Sequence, residues 1–162
     1  MASAFPWLYP YAAERQPRRG QGVLRPIVPV SLGDVGPDPV PWASLIDTGS
    51  ESVLAAAWLA DVLGIDLDTS TDRATIGIGG QVAEVTFVEV ELRLHAIHDV
   101  DEYVSWRADV GFVPGWPAPF PLVLGQVGFL DTFTVTLNRL AAMAAIEDSE
   151  AFDTRFGTGS TN

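Results

Sequence analysis

Apolar and polar residues alternate through 81–94, where Val88, Val90, Leu92 and Leu94 share one face in register with Val82, and Glu89, Glu91 and Arg93 fall between them. A period of two marks a half-buried strand. Glu84, Val85 and Phe87 make the earlier half less regular. Residues 73–78 read as the preceding strand and meet the long one through Gly79-Gly80, so the pair predicts a hairpin with a glycine tip. Upstream, 23–32 alternates as a first strand that Pro26 and Pro29 confine to an edge or a bulge. Residues 33–39 read as a turn, and 40–47 as a second strand, nearly continuous in apolar residues as a buried strand is. Leu54, Ala57, Trp58 and Val62 then stand near helical spacing, which predicts a helix over 51–63 with Gly64 as its stop.

Downstream, 95–102 is mostly polar and 103–112 reads as a strand. Residues 114–121 hold four prolines, which remove four ladder donors, so the segment is a rigid loop rather than a strand. Strands at 122–125 and 132–137, joined by a short turn through Leu130, complete the set. Asn138 is placed to cap a short helix through Ile146, and the chain from Glu147 onward reads as frayed. Many short strands with one or two short helices predict an all-β, partly closed barrel. The expected organisation is an irregular N-terminal arm over 1–22, one domain over 23–138, and a short helix with a flexible tail over 139–162.

Composition narrows the chemistry. A chain of 162 residues that is 48% hydrophobic has ample material for one core. Its formal charge of −12 argues against nucleic acid as a partner, since phosphates repel such a surface. Cysteine is absent, which excludes disulfides, thiolate nucleophiles and Cys-ligated zinc. All nine basic residues are arginines, so there is no lysine for a Schiff base or a Walker-type phosphate site. The segment 1–16 lacks the basic and apolar regions of a secretory signal, and no apolar stretch has transmembrane length, so the expected location is cytoplasmic, with no membrane partner.

The chemistry-bearing segment is Asp47-Thr48-Gly49-Ser50, at the end of the apolar run Ala43-Ser44-Leu45-Ile46. A buried strand that delivers an aspartate into a tight glycine-containing loop holds the carboxylate rigidly, as a tuned acid or base requires. Taken alone, the segment also fits a strand followed by an Asp-capped turn into a helix. Two more segments follow in order: Ile76-Gly77-Ile78-Gly79-Gly80, and Pro121-Leu122-Val123-Leu124-Gly125. Together the three resemble the retropepsin-like, single-domain aspartic proteases, a likeness that runs over about residues 23–138. The fold it implies is an acid-protease barrel.

That resemblance implies an aspartic endopeptidase acting on an extended peptide or protein substrate, with no cofactor and no metal. Two carboxylates sharing a proton are needed, and this chain has one Asp-Thr-Gly, so activity implies a homodimer with the two Asp47 residues across a twofold axis. The two carboxylates of an aspartic protease titrate as a coupled pair in two separate steps, which implies a bell-shaped profile in mildly acidic solution. The resemblance assigns Thr48 a hydrogen bond across the axis and Gly49 an N–H that reaches the carboxylate. It assigns Ser50 a hydroxyl that donates to the outer oxygen of Asp47. Ile78, Gly79 and Gly80 would close over the substrate as a flap and donate backbone hydrogen bonds. Val123, Leu124 and Gly125 would flank the catalytic loop, and Val123, Ile78 and Leu45 would make the pockets apolar. Where retroviral members often pair an acid with an arginine, this chain has Glu51 and Gln126, a charge-assisted hydrogen bond at most.

Other readings of these residues carry less. Gly77-Ile78-Gly79-Gly80 has no lysine and no following helix, unlike a phosphate loop. His95 and His98, near Asp99, Asp101 and Glu102, read as a solvated turn rather than a metal site. Trp106, Trp116, Phe120 and Phe129 read as core and loop packing. The alternative function is a catalytically inactive binding module of the same fold that holds an extended peptide in its groove.

Overall fold

The structure, a computed structural model, describes residues 7–15, 22–33 and 40–157. Its strands are β1 (Trp7–Pro10), β2 (Ala12–Arg15), β3 (Gly22–Arg25), β4 (Ile27–Leu32), β5 (Trp42–Ile46), β6 (Val53–Ala56), β7 (Arg73–Ile78), β8 (Gln81–His95), β9 (Tyr103–Val113), β10 (Leu122–Leu124), β11 (Phe133–Asn138) and β12 (Met143–Asp148). Helix α1 (Ala57–Leu63) follows β6, and α2 (Ser149–Phe156) follows β12. The fold is all-β with two short helices, as the periodicity predicts. Strands β4-β5-β10-β6-β9-β8 lie side by side, and β8 returns to pair with β4, so six strands form a ring from which β7 projects. Closure rests on the pairs Val30↔Leu94, Ser31↔Arg93 and Leu32↔Leu92.

The long strand β8 explains its own irregular pattern. Its barrel half turns Val90, Leu92 and Leu94 into the main core, with Val88 packed against them. Its hairpin half uses the opposite face: Val85 is buried in a second apolar cluster, with Ala83 and Phe87 against it. Successive strand residues point to opposite faces, so serving two cores in turn shifts the apolar parity without any slip in register. Val82, expected on the core face, is 77% exposed because the hairpin leaves the barrel there. On the outer face, Arg107 pairs with Glu89 and Arg93 with Glu91.

Several expectations about the elements are corrected. The helix over 51–63 begins only at Ala57, because Val53–Ala56 is a strand buried at every residue between β10 and β9. Its stop is as expected, with Gly64 left-handed at φ 68°. The strand over 23–32 is broken at Pro26 into β3 and β4, and Pro29 lies in the part of β4 paired with β5 alone. The segment read as an irregular arm contains two strands: β1 pairs with β12, burying Trp7 and Tyr9, and β2 pairs with β3. Finally, Asn138 caps a turn and not a helix, its Oδ1 accepting from Ala141 N, and the chain returns as β12 between β1 and β11. Burial of Ala144 and Ile146 in that central strand overrides the helix propensity of the alanine-rich run.

The segment expected to fray from Glu147 is helical in part. Asp148 caps α2 by accepting from Ala151 N, Arg155 pairs with Glu147, and Gly157 ends the helix at φ 65°. The expected turn at 33–39 lies outside the described residues except for Gly33, as do 1–6 and 16–21 of the arm and the last five tail residues, 158–162. No helix among the described residues is long and apolar enough to cross a membrane.

Candidate active site

Strand β5 enters the site through buried Ser44, Leu45 and Ile46 and ends where Asp47 begins a tight loop. Asp47 N donates to Leu124 O at 3.0 Å, and Ser50 N donates back to Asp47 O at 3.2 Å. Gly49 N donates to Asp47 Oδ1 at 2.9 Å, so the carboxylate has one oxygen fixed by the backbone of its own loop. A charge-assisted bond of this kind orients the group. Thr48 and Gly49 are exposed, and Asp47 and Ser50 are half-buried.

A second segment clamps the loop from below. Gln126 N donates to Ser50 O and Val127 N to Glu51 O, both at 2.9 Å, continuing into the parallel bridge Ser52↔Val127. The Gln126 side chain adds a bond from Nε2 to Thr48 O at 2.7 Å. It therefore supports the loop through a backbone carbonyl rather than by pairing with Glu51, the arrangement expected from sequence. Gly125 makes this approach possible, since a Cβ there would stand 2.3 Å from Ser52 O and 2.7 Å from Ser50 O. Ser50 departs from expectation as well: its hydroxyl donates to Ser52 O at 2.8 Å and not to Asp47.

The hairpin β7–β8 faces this loop. Ile78 pairs with Gln81, and the two residues between them, Gly79 and Gly80, have φ of 55° and 81°. Two consecutive positive φ values are what a two-residue hairpin turn needs to match the strand twist, and glycine supplies them without strain. Between loop and hairpin lies a groove of about 680 Å³. Asp47, Gly49, Ser50, Ile78, Gly79 and Val123 all line it, together with Leu45. Thr48, Gly80, Leu124 and Gly125 are outside its lining; Leu124 and Gly125 lie behind the loop as its support.

Sequence reasoning missed part of the wall. Trp116, Pro117, Ala118 and Phe120, from the proline-rich loop, line the same groove, as do Leu54 and Phe87. The spacing of these residues gave no sign of it. Their nearness to the hairpin arises from the β9–β8 pairing, which brings the end of β9 back alongside the flap. His95, expected in a solvated turn, is fully buried: Ser31 Oγ lies 2.8 Å from Nε2 and Val100 O 2.6 Å from Nδ1. The carbonyl can only accept, so Nδ1 carries the proton and the imidazole acts as a structural strut. No group of three or more His, Asp or Glu positioned to hold a metal occurs among the described residues.

No protein-family model matches the sequence, and no curated protein matches it. Similarity appears between structures. A retropepsin-like aspartic protease from Rickettsia conorii superposes with a TM-score of 0.51 at 13% identity, over 85% of this chain and 97% of that one. EIAV protease in complex with an inhibitor matches with a TM-score of 0.35 at 19% identity, over 63% of this chain and 82% of that one. At 13% identity the likeness to the Rickettsia protein concerns architecture, and it agrees with the barrel, hairpin and loop described above: this chain has the retropepsin-like aspartic protease fold.

Proposed function

We propose that the protein is an aspartic endopeptidase that assembles its active site as a homodimer, with one Asp47 from each subunit. The observation that carries this reading is the placement of Asp47, its Oδ1 held by Gly49 N, at the floor of a groove faced by a glycine-tipped hairpin. In the proposed reaction the ionised aspartate takes a proton from water as the oxygen attacks the scissile carbonyl. Its protonated twin donates to the carbonyl oxygen, giving a tetrahedral diol. The aspartate that took the water's proton then passes it to the amide nitrogen while its twin takes a proton back from a diol hydroxyl, so the C–N bond breaks to give an amine and a carboxylic acid and the dyad again holds one proton. Ile78, Gly79 and Gly80 would hold the substrate by strand addition, and Val123 with Leu45 would form an apolar floor. Thr48 would brace the two loops across the axis, and Leu124 and Gly125 keep each loop in place from behind.

A second reading is favoured by one observation: side chains of one subunit wall a groove of about 680 Å³ that is apolar along Leu45, Leu54, Ile78, Phe87 and Val123, a surface that suits holding an extended peptide without cleaving it. One experiment separates the two. A degenerate peptide library is incubated with wild type and Asp47→Asn from mildly acidic to neutral pH, and mass is measured by light scattering in the same tubes. The protease reading expects a dimer whose cleavage disappears in the variant; a monomer with no Asp47-dependent cleavage overturns it in favour of the binding module.

A further inference from the structure

The proline-rich loop is pinned at several points. Its prolines fix φ at Pro114, Pro117, Pro119 and Pro121. Trp116 Nε1 donates to Phe120 O at 2.7 Å, closing the loop on itself. Phe120 is buried in the second apolar cluster with Leu45, Leu54 and Val123, which anchors the loop to the groove floor. A wall held this way keeps its shape when a ligand arrives, so it discriminates by fit rather than adapting.

What the wall presents follows from the same bonds. The single polar atom of the Trp116 side chain is already committed to Phe120 O, which leaves the groove an apolar ring surface. Ile76, Ile78, Phe87 and Leu54 line the same groove and belong to the same apolar cluster as Trp116. The charged lining residues, Asp47 and Glu51, are both acidic and come from the loop after β5. A peptide carboxylate placed here would lose its water without gaining a cation.

We propose that Trp116 is a specificity-determining residue of this groove: its ring walls a subsite that accepts a bulky apolar or aromatic peptide side chain and rejects an acidic one. The inference rests on the groove holding an extended peptide, which both functional readings share, and does not depend on whether the bond is broken. Its test uses the full chain and a degenerate peptide library. Residues flanking each cut are read by mass spectrometry for wild type, Trp116→Ala and Trp116→Phe, with denaturation midpoints as the folding control. The expected result is one position enriched in large apolar residues and depleted of Asp and Glu. Trp116→Ala should relax that preference at least about tenfold, Trp116→Phe should keep most of it, and preferences elsewhere should stay unchanged. An unaltered preference in folded Trp116→Ala overturns the inference while leaving the protease reading intact. Should wild type cut nothing, the protease reading fails alone, and retention of the same library on immobilised Asp47→Asn, with and without Trp116→Ala, decides the inference. Selective retention of aromatic peptides that is lost with Trp116→Ala supports it, and unselective or absent retention overturns it.

Discussion

Gly125 and Ser52 approach so closely that a Cβ on Gly125 would lie 2.3 Å from the Ser52 carbonyl oxygen. The contact is backbone against side-chain position, so no rotamer change relieves it. It lies where the segment after β10 crosses beneath the Asp47 loop, and the bonds from Gln126 N to Ser50 O and Val127 N to Glu51 O depend on it. Gly125→Ala should therefore separate the two segments, with a stability loss of about 1–3 kcal/mol and loss of any Asp47-dependent cleavage. Urea denaturation checks this: the midpoint should fall with the slope unchanged.

Gln126 holds the same loop by its side chain, through Nε2 on Thr48 O. The bond is solvent-exposed, so Gln126→Ala should cost little stability, at most about 0.5–1.5 kcal/mol. Because it positions the residue next to Asp47, turnover should fall further than stability does. Parallel measurement of kcat and the denaturation midpoint separates the two effects, and a kcat that falls no further than the folded fraction would contradict it.

Ser50 donates to Ser52 O and not to Asp47. Ser50→Ala should cost about 1 kcal/mol through the lost bond and leave the acid limb of the pH–rate profile where it is in wild type. A shifted acid limb would place the hydroxyl on the carboxylate after all.

Tyr9 ties β1 to the barrel by donating to His95 O at 2.8 Å, a bond of residues 86 apart in sequence. Burial raises the Tyr9 pKa well above its ordinary value near 10, and the charge of Glu102 adds to the rise. The folded protein thus keeps the phenolic proton after the unfolded chain has released it. Its contribution to stability is whole below about pH 10 and is lost as pH rises toward the folded pKa, at up to about 1.4 kcal/mol per pH unit. Tyr9→Phe should be less stable at neutral pH yet decline less steeply above pH 10. Denaturation of the two proteins across that range tests the difference, in which the remaining titrating groups cancel.

Features carried by neighbouring residues were legible before any coordinates. The apolar run into Asp47, the glycine pair of the hairpin tip and the proline-dense loop each depend on local stereochemistry, as does the Gly64 stop, so residue order alone reveals them. The alternation along β8 was legible in its later half, and the change of face in its earlier half was not, because two separate cores determine it. Ser50 shows the limit at the site itself: its type permits a bond to Asp47, and the nearer carbonyl of Ser52 takes the proton instead.

Where helix and strand are both open to a short apolar run, burial on two faces makes the choice. Val53–Ala56 became a strand because β10 and β9 supply ladder partners on either side, and Met143–Asp148 did so between β1 and β11. Trp7 and Tyr9 entered the core for the same reason: β12 offered an edge. The wall formed by Trp116 and Phe120 opposite Ile78 is likewise absent from any spacing, since only the folded barrel brings those segments together. Local chemistry is written along the chain; the pairing of distant segments is settled by the free energy of burying them together, a property of the whole molecule.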